Sequence, residues 1–108
     1  MKMVLPAQLI TAAVISLLVL FPPHCTLAAD VTRGKTIAQR WCSSCHLVAP
    51  EQTRAVADVP SFAAVARAKP PADSLKAFLS DPHPKMPDMS LTRSEIEDIV
   101  AYIQSLGR

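Results

Sequence analysis

Apolar residues fall into one charge-free block near the start of the chain, followed by four amphipathic stretches. The block is LITAAVISLLVLF, Leu9 to Phe21, and no charge occurs between Lys2 and Asp30. Beyond Asp30 the apolar positions take helical spacing, and no segment shows the strict alternation of a half-buried strand. Asp30 is a good N-cap for VTRGKTIAQRWC, in which Ile37 and Trp41, four apart, share a face. Residues 43–60 read as loop, punctuated by Pro50 and Pro60. SFAAVARA then carries a stripe of Phe62, Val65 and Ala66 and stops before Pro70 and Pro71. ADSLKAFL repeats the pattern with Leu75, Phe78 and Leu79, and ends at Asp81 and Pro82. The stretch DPHPKMPDMS follows; its prolines forbid helix and predict a stiff extended strap.

The last helix is the most strongly signalled. Thr92-Arg93-Ser94-Glu95 is a capping box, with Leu91 and Ile96 placed as the hydrophobic staple around it. Ile96, Ile99, Val100, Ile103 and Leu106 then keep helical spacing, and Gly107 is placed to end the run. The chain has two glycines, Gly34 and Gly107. Gly34 lies inside the first helix, where it costs about 1 kcal/mol relative to alanine. In so glycine-poor a chain, this points to a close helix crossing that only a bare Cα permits.

Charge and length change the picture at the amino end. A basic start, a thirteen-residue apolar core, Pro22-Pro23 and a small-residue run ending in Ala28-Ala29 read as a secretory leader over residues 1–29. Cleavage after Ala28 or after Ala29 fits equally. A membrane anchor fits less well, because a bilayer core of about 30 Å needs about 20 apolar residues. The remaining domain, residues 30–108, carries ten basic and nine acidic groups. With no basic tract, nucleic acid is not an expected partner. So small a domain buries little apolar surface and calls for a staple or a cofactor. Cys25 leaves with the leader, so Cys42 and Cys45 alone enter an oxidising compartment.

Those two cysteines lie in Trp41-Cys42-Ser43-Ser44-Cys45-His46. The motif has three readings: a redox disulfide, part of a zinc site, or a covalent haem anchor. A thioredoxin-like pair opens a helix after a strand in a βαβ unit, and no such unit is present. Zinc wants four ligands, and the mature chain offers only His83 beyond the motif. The haem reading uses every residue. Both thiols reach one edge of a porphyrin and add across its two vinyl groups, while the following histidine comes under the iron.

With these residues in view, the chain resembles the small class I cytochromes c of bacterial periplasms. The resemblance covers the mature chain: GKTIAQRWCSSCHLV, PSFAAVA and HPKMPDMSLTRSEIEDIVAYIQSL. It implies an all-α cytochrome c fold, about four short helices around one covalently bound haem c. The first and last helices would cross, pairing Gly34 and Ala38 with Ile99, Tyr102 and Ile103. It also implies a methionine late in the chain as sixth ligand, commonly followed by proline. Met86-Pro87 fits that pattern; Met89 is the runner-up, and His83 reads as solvated. The ligating histidine donates its second N–H to a carbonyl, which the resemblance places at Pro60, with Pro50 as runner-up. Trp41, Phe62, Leu75, Phe78 and Leu79 are expected against the porphyrin, and Tyr102 between helices.

The expected function is one-electron transfer in the periplasm, with a positive potential because a soft thioether and a dry pocket favour the ferrous state. Redox proteins would dock transiently on a monomer, with membranes involved only as the site of partners. Lys35, Arg40, Lys69, Lys76 and Lys85 either ring the haem edge or are scattered, solvated charges. The alternative is a dedicated haem subunit, the electron outlet of a larger periplasmic oxidoreductase. A five-coordinate, gas-binding or peroxidase-like haem would require the strap methionine to leave the iron.

Overall fold

A computed structural model describes residues 27–56, 58–82 and 84–108. The leader reading up to residue 26, Cys25 and His83 lie outside the described residues. Four α-helices and no strand occur among those described: α1 Val31–Trp41, α2 Phe62–Arg67, α3 Ala72–Ser80 and α4 Arg93–Ser105. None of them is long and apolar enough to cross a membrane.

The helix boundaries follow from side-chain capping. Asp30 Oδ1 accepts the Thr32 and Arg33 amides at 2.8 and 3.0 Å and starts α1. The Ser61 hydroxyl accepts the Ala64 amide at 3.1 Å and starts α2. At α4 the capping box closes in both directions. The Glu95 amide donates to the Thr92 hydroxyl at 3.3 Å, and the Thr92 amide donates to Glu95 Oε2 at 2.8 Å. Thr92→Ala is expected to lower stability by about 1 kcal/mol, and Thr92→Ser to retain most of it. Denaturant unfolding of the holoprotein measures both; equal stability of the alanine variant would remove the cap from the account.

The α1–α4 crossing organises the core. Ala38 and Ile99 are fully buried there, beside Tyr102 and Ile103. A methyl group at Gly34 would overlap the Asp98 carbonyl oxygen and lie 3.0 Å from the Ile99 amide nitrogen. The backbones thus touch where the sequence placed a bare Cα. Helices α2 and α3 both pack against α4, burying Phe62, Ala66 and Leu79. Leu91 and Ile96, the expected staple, both join this core.

The crossing also buries one partner of an ion pair, the Asp98 carboxylate, while Arg33 stays half-exposed. Asp98 is 1% exposed, accepts the Asp30 amide at 2.7 Å, and pairs through Oδ2 with the Arg33 guanidinium. Burial works to raise the Asp98 pKa. The hydrogen bonds from Arg33 and Asp30 outweigh it and hold the carboxyl below its ordinary value.

The end of α4 corrects one expectation. Leu106 caps the helix, and Gly107 does not adopt a left-handed conformation. Its small size is used instead for close approach to α2: a Cβ there would lie 3.0 Å from the Ala66 carbonyl oxygen.

Candidate functional site

The end of α1 runs directly into the cysteine motif. The Cys42 amide still donates to Ala38 at 2.8 Å, which carries the helical course to the first thiol. The Cys42 carbonyl then accepts the amides of both Cys45, at 3.1 Å, and His46, at 2.8 Å. A turn closed in this way sets residues i, i+3 and i+4 on one side. Cys42, Cys45 and His46 accordingly line the same wall of a cavity of about 380 Å³. Both thiols are free. Burial, with a smaller contribution from neighbouring Cys45, pushes the Cys42 thiol up to about 11. It is therefore a neutral thiol near pH 7, unlike the thiolate that a dithiol redox centre exploits.

His46 is held from two sides. Its Nδ1–H donates to the Pro60 carbonyl at 2.7 Å, which fixes the tautomer and leaves Nε2 without that proton. The Phe62 ring lies 5.5 Å from the imidazole and 6.4 Å from Tyr102. Pro50, the other carbonyl considered, lies exposed on the surface.

The remaining walls come from α2, α3 and the strap. Val59, Phe62, Val65, Leu75, Phe78, Leu79 and Ile103 make the lining largely apolar, and Met86, Pro87 and Met89 enter from the strap. Met86 packs against the buried core. Trp41 and Phe78, 51% and 42% exposed, stand at the rim, with the Arg40 guanidinium 5.1 Å from the Trp41 ring centre. Among the cations named above, Lys85 lines the cavity. Lys35 pairs with Glu51 at 3.1 Å and Lys76 with Asp73 at 3.4 Å. Among the described residues, no three His, Cys, Asp or Glu side chains group to hold a bare metal ion.

Four residues take roles here beyond those read from the sequence. The Tyr102 hydroxyl donates to the Val48 carbonyl at 2.6 Å and ties α4 to the attachment loop. The Gln52 side chain spans the same loop. Val59 and Val65 complete the apolar wall. Val65 was legible as part of the α2 stripe but not as cavity lining.

This donor set fits a covalently attached haem: two thiols not joined in a disulfide, an imidazole with one nitrogen already engaged, thioethers on the strap, and apolar walls. The comparisons agree. The family model described as cytochrome c oxidase, cbb3-type, subunit III, matches residues 29–103. Cytochrome c-552 of Bradyrhizobium diazoefficiens is 57% identical over 82 residues, which span 74% of this chain and 78% of that protein. No solved structure matches. The all-helical fold, the cysteine–histidine turn beside an apolar cavity and these matches place the chain in the cytochrome c family, as a small monohaem protein with covalently bound haem c that carries electrons and is not itself an enzyme.

Proposed function

We propose that this protein is a periplasmic one-electron carrier whose haem iron is held between His46 and Met86. The observation that carries this reading is the hydrogen bond from His46 Nδ1–H to Pro60, in a side chain that lines the cavity also lined by Met86. When bound, the haem supplies a one-electron ferric–ferrous couple. Cys42 and Cys45 would hold it through two thioether bonds, and His46 would offer Nε2 as a ligand. The Pro60 carbonyl and the Phe62 ring keep the imidazole from turning. Met86 offers a soft sulfur from a strap that Pro82, Pro84 and Pro87 stiffen. The apolar lining excludes water and so disfavours the more highly charged oxidation state. With both His46 and Met86 as its ligands, the iron would have no place for substrate.

Met86 is favoured over Met89 because it packs against the buried core and precedes a proline, although both line the cavity. The ferric spectrum tests the choice through the weak red charge-transfer band that marks methionine–iron bonding. Met86→Ala is expected to abolish the band and Met89→Ala to leave it. The reverse result would move the ligand to Met89, and a wild-type protein without the band would refute methionine ligation.

Export rests on the leader read over residues 1–29. A mature chain recovered from the periplasm and beginning at Ala29 or Asp30 supports it; an unprocessed chain retained in the cytoplasm refutes it. Redox partners are expected at the rim formed by Trp41 and Phe78, through a small, short-lived interface. A second reading has one specific support: the matching family is described as an oxidase subunit. Gel filtration of native extract separates the two, since a subunit elutes with a larger enzyme and a free carrier at the monomer position.

A further inference from the structure

We infer that Gln52 is a positioning residue for the haem site, its side-chain amide holding the attachment loop in the form that presents both thiols and the His46 imidazole to the cavity. The inference rests on the reading of His46 as a haem ligand.

The loop has a specific structural problem. Beyond α1 its carbonyl groups have no helix to satisfy them, and an unpaired carbonyl near the core is costly. Most are taken by backbone or by α4. Cys42 accepts from Cys45 and His46, Cys45 from Val56, Leu47 from Phe62, and Val48 from the Tyr102 hydroxyl. The carbonyls of Ser43 and His46 are taken by one side chain. Gln52 Nε2 lies 2.9 Å from Ser43 O, 2.8 Å from His46 O and 2.8 Å from Arg54 O. Its Oε1 accepts the Val48 amide at 3.0 Å.

A single primary amide therefore ties the residue between the two cysteines, the histidine, and the residue two beyond it. The chemistry selects an amide. Two N–H protons face three carbonyls, one proton being shared, while the oxygen faces an N–H. A carboxylate of the same shape would present only acceptors to those three carbonyls, and a thioether would present no donor. The backbone of His46 is thus fixed by Gln52 while its ring is fixed by Pro60, so the imidazole is held at both ends.

The test uses the full chain, expressed where haem is attached. Gln52→Glu and Gln52→Met are compared with wild type and with Val100→Ala. Val100 is buried in α4 and is not among the residues lining the cavity, so its truncation supplies a loss of stability outside the cavity wall and without removing any hydrogen bond of Gln52. Two quantities are read in the purified holoprotein. One is the deuterium exchange rate of the His46 Nδ1 proton, by NMR of the reduced state. The other is the ferric-to-ferrous ratio at a fixed solution potential.

Both Gln52 variants are expected to exchange that proton about tenfold faster and to shift the ratio severalfold toward ferric. Val100→Ala is expected to change neither. If Gln52→Glu yields no holoprotein, Gln52→Met decides. If neither Gln52 variant attaches haem while Val100→Ala does, the amide is required to present the loop, as inferred. Gln52→Met with wild-type exchange and ratio, or Val100→Ala moving both equally, overturns the inference. Failure of the His46 reading would be distinct: the wild-type protein would then show no histidine–iron signature, whatever residue 52 is.

Discussion

Gly34→Ala is expected to destabilise the folded protein by about 3 kcal/mol, at the upper end of what overpacking a close contact costs. Two effects oppose each other at this position. Gly34 lies within α1 and has ordinary helical backbone, so alanine would gain about 1 kcal/mol in helix propensity. Against this, the new methyl would overlap the Asp98 carbonyl oxygen and crowd the Ile99 amide. Both obstacles are backbone atoms of a helix, so they cannot turn aside as a flexible side chain would. Relief requires moving α1 away from α4, which loosens Ala38 and Ile99 at the centre of the core. The steric effect should therefore win. Gly107→Ala is the internal comparison, since a Cβ there would lie 3.0 Å from the Ala66 carbonyl at the exposed end of α4 and has more room to adjust. Denaturant unfolding measures both. A Gly34→Ala protein as stable as wild type would mean that the helices do not meet at this point.

Asp98→Asn is expected to cost about 2–3 kcal/mol at pH 7 and almost nothing in strong acid. The buried carboxylate faces two donors, the Asp30 amide and the Arg33 guanidinium. Asparagine keeps the shape but turns an N–H₂ toward one of them. The pH dependence follows from the direction of the shift. The folded-state pKa of Asp98 lies below its ordinary value, so the unfolded chain binds the proton more readily. The stabilisation is complete above the unfolded carboxylate pKa of roughly 3.9 and is lost as pH falls through the lower, folded value. The gap between wild type and Asp98→Asn should close across that acid window. A gap that stays constant into strong acid would show that charge at Asp98 contributes nothing.

The two helices that these predictions probe differ in how they could be read. Thr92, Glu95, Ile96, Ile99 and Ile103 announce α4 because caps and periodicity are local properties. Gly34 announced the crossing because a costly residue inside a helix needs a reason. Asp98 was not read from the sequence, because its burial follows from the helix crossing and not from a local pattern. The partners themselves, Arg33 and the Asp30 amide, are 65 and 68 residues away, and nothing in the local sequence names them.

The site divides in the same way. Cys42, Cys45 and His46 were legible as candidates because the chemistry requires their spacing. The walls were partly legible from the helical stripes of α2 and α3. Gln52 was not, because it sits in a stretch without periodicity. Its hydrogen bonds exist only once the loop has turned back on itself. Gly107 was read through the commonest use of a terminal glycine. The chain instead uses its small size, a property of the tertiary contact with Ala66.

The meeting of Gly34 with Asp98 and Ile99 also sets an order of events as the polypeptide emerges. Until the final helix has arrived, α1 has no surface to bury its small face against, and the centre of the domain cannot close. Cys42, next to the end of α1 and buried in the folded molecule, therefore depends for its enclosure on a helix more than fifty residues further along the chain.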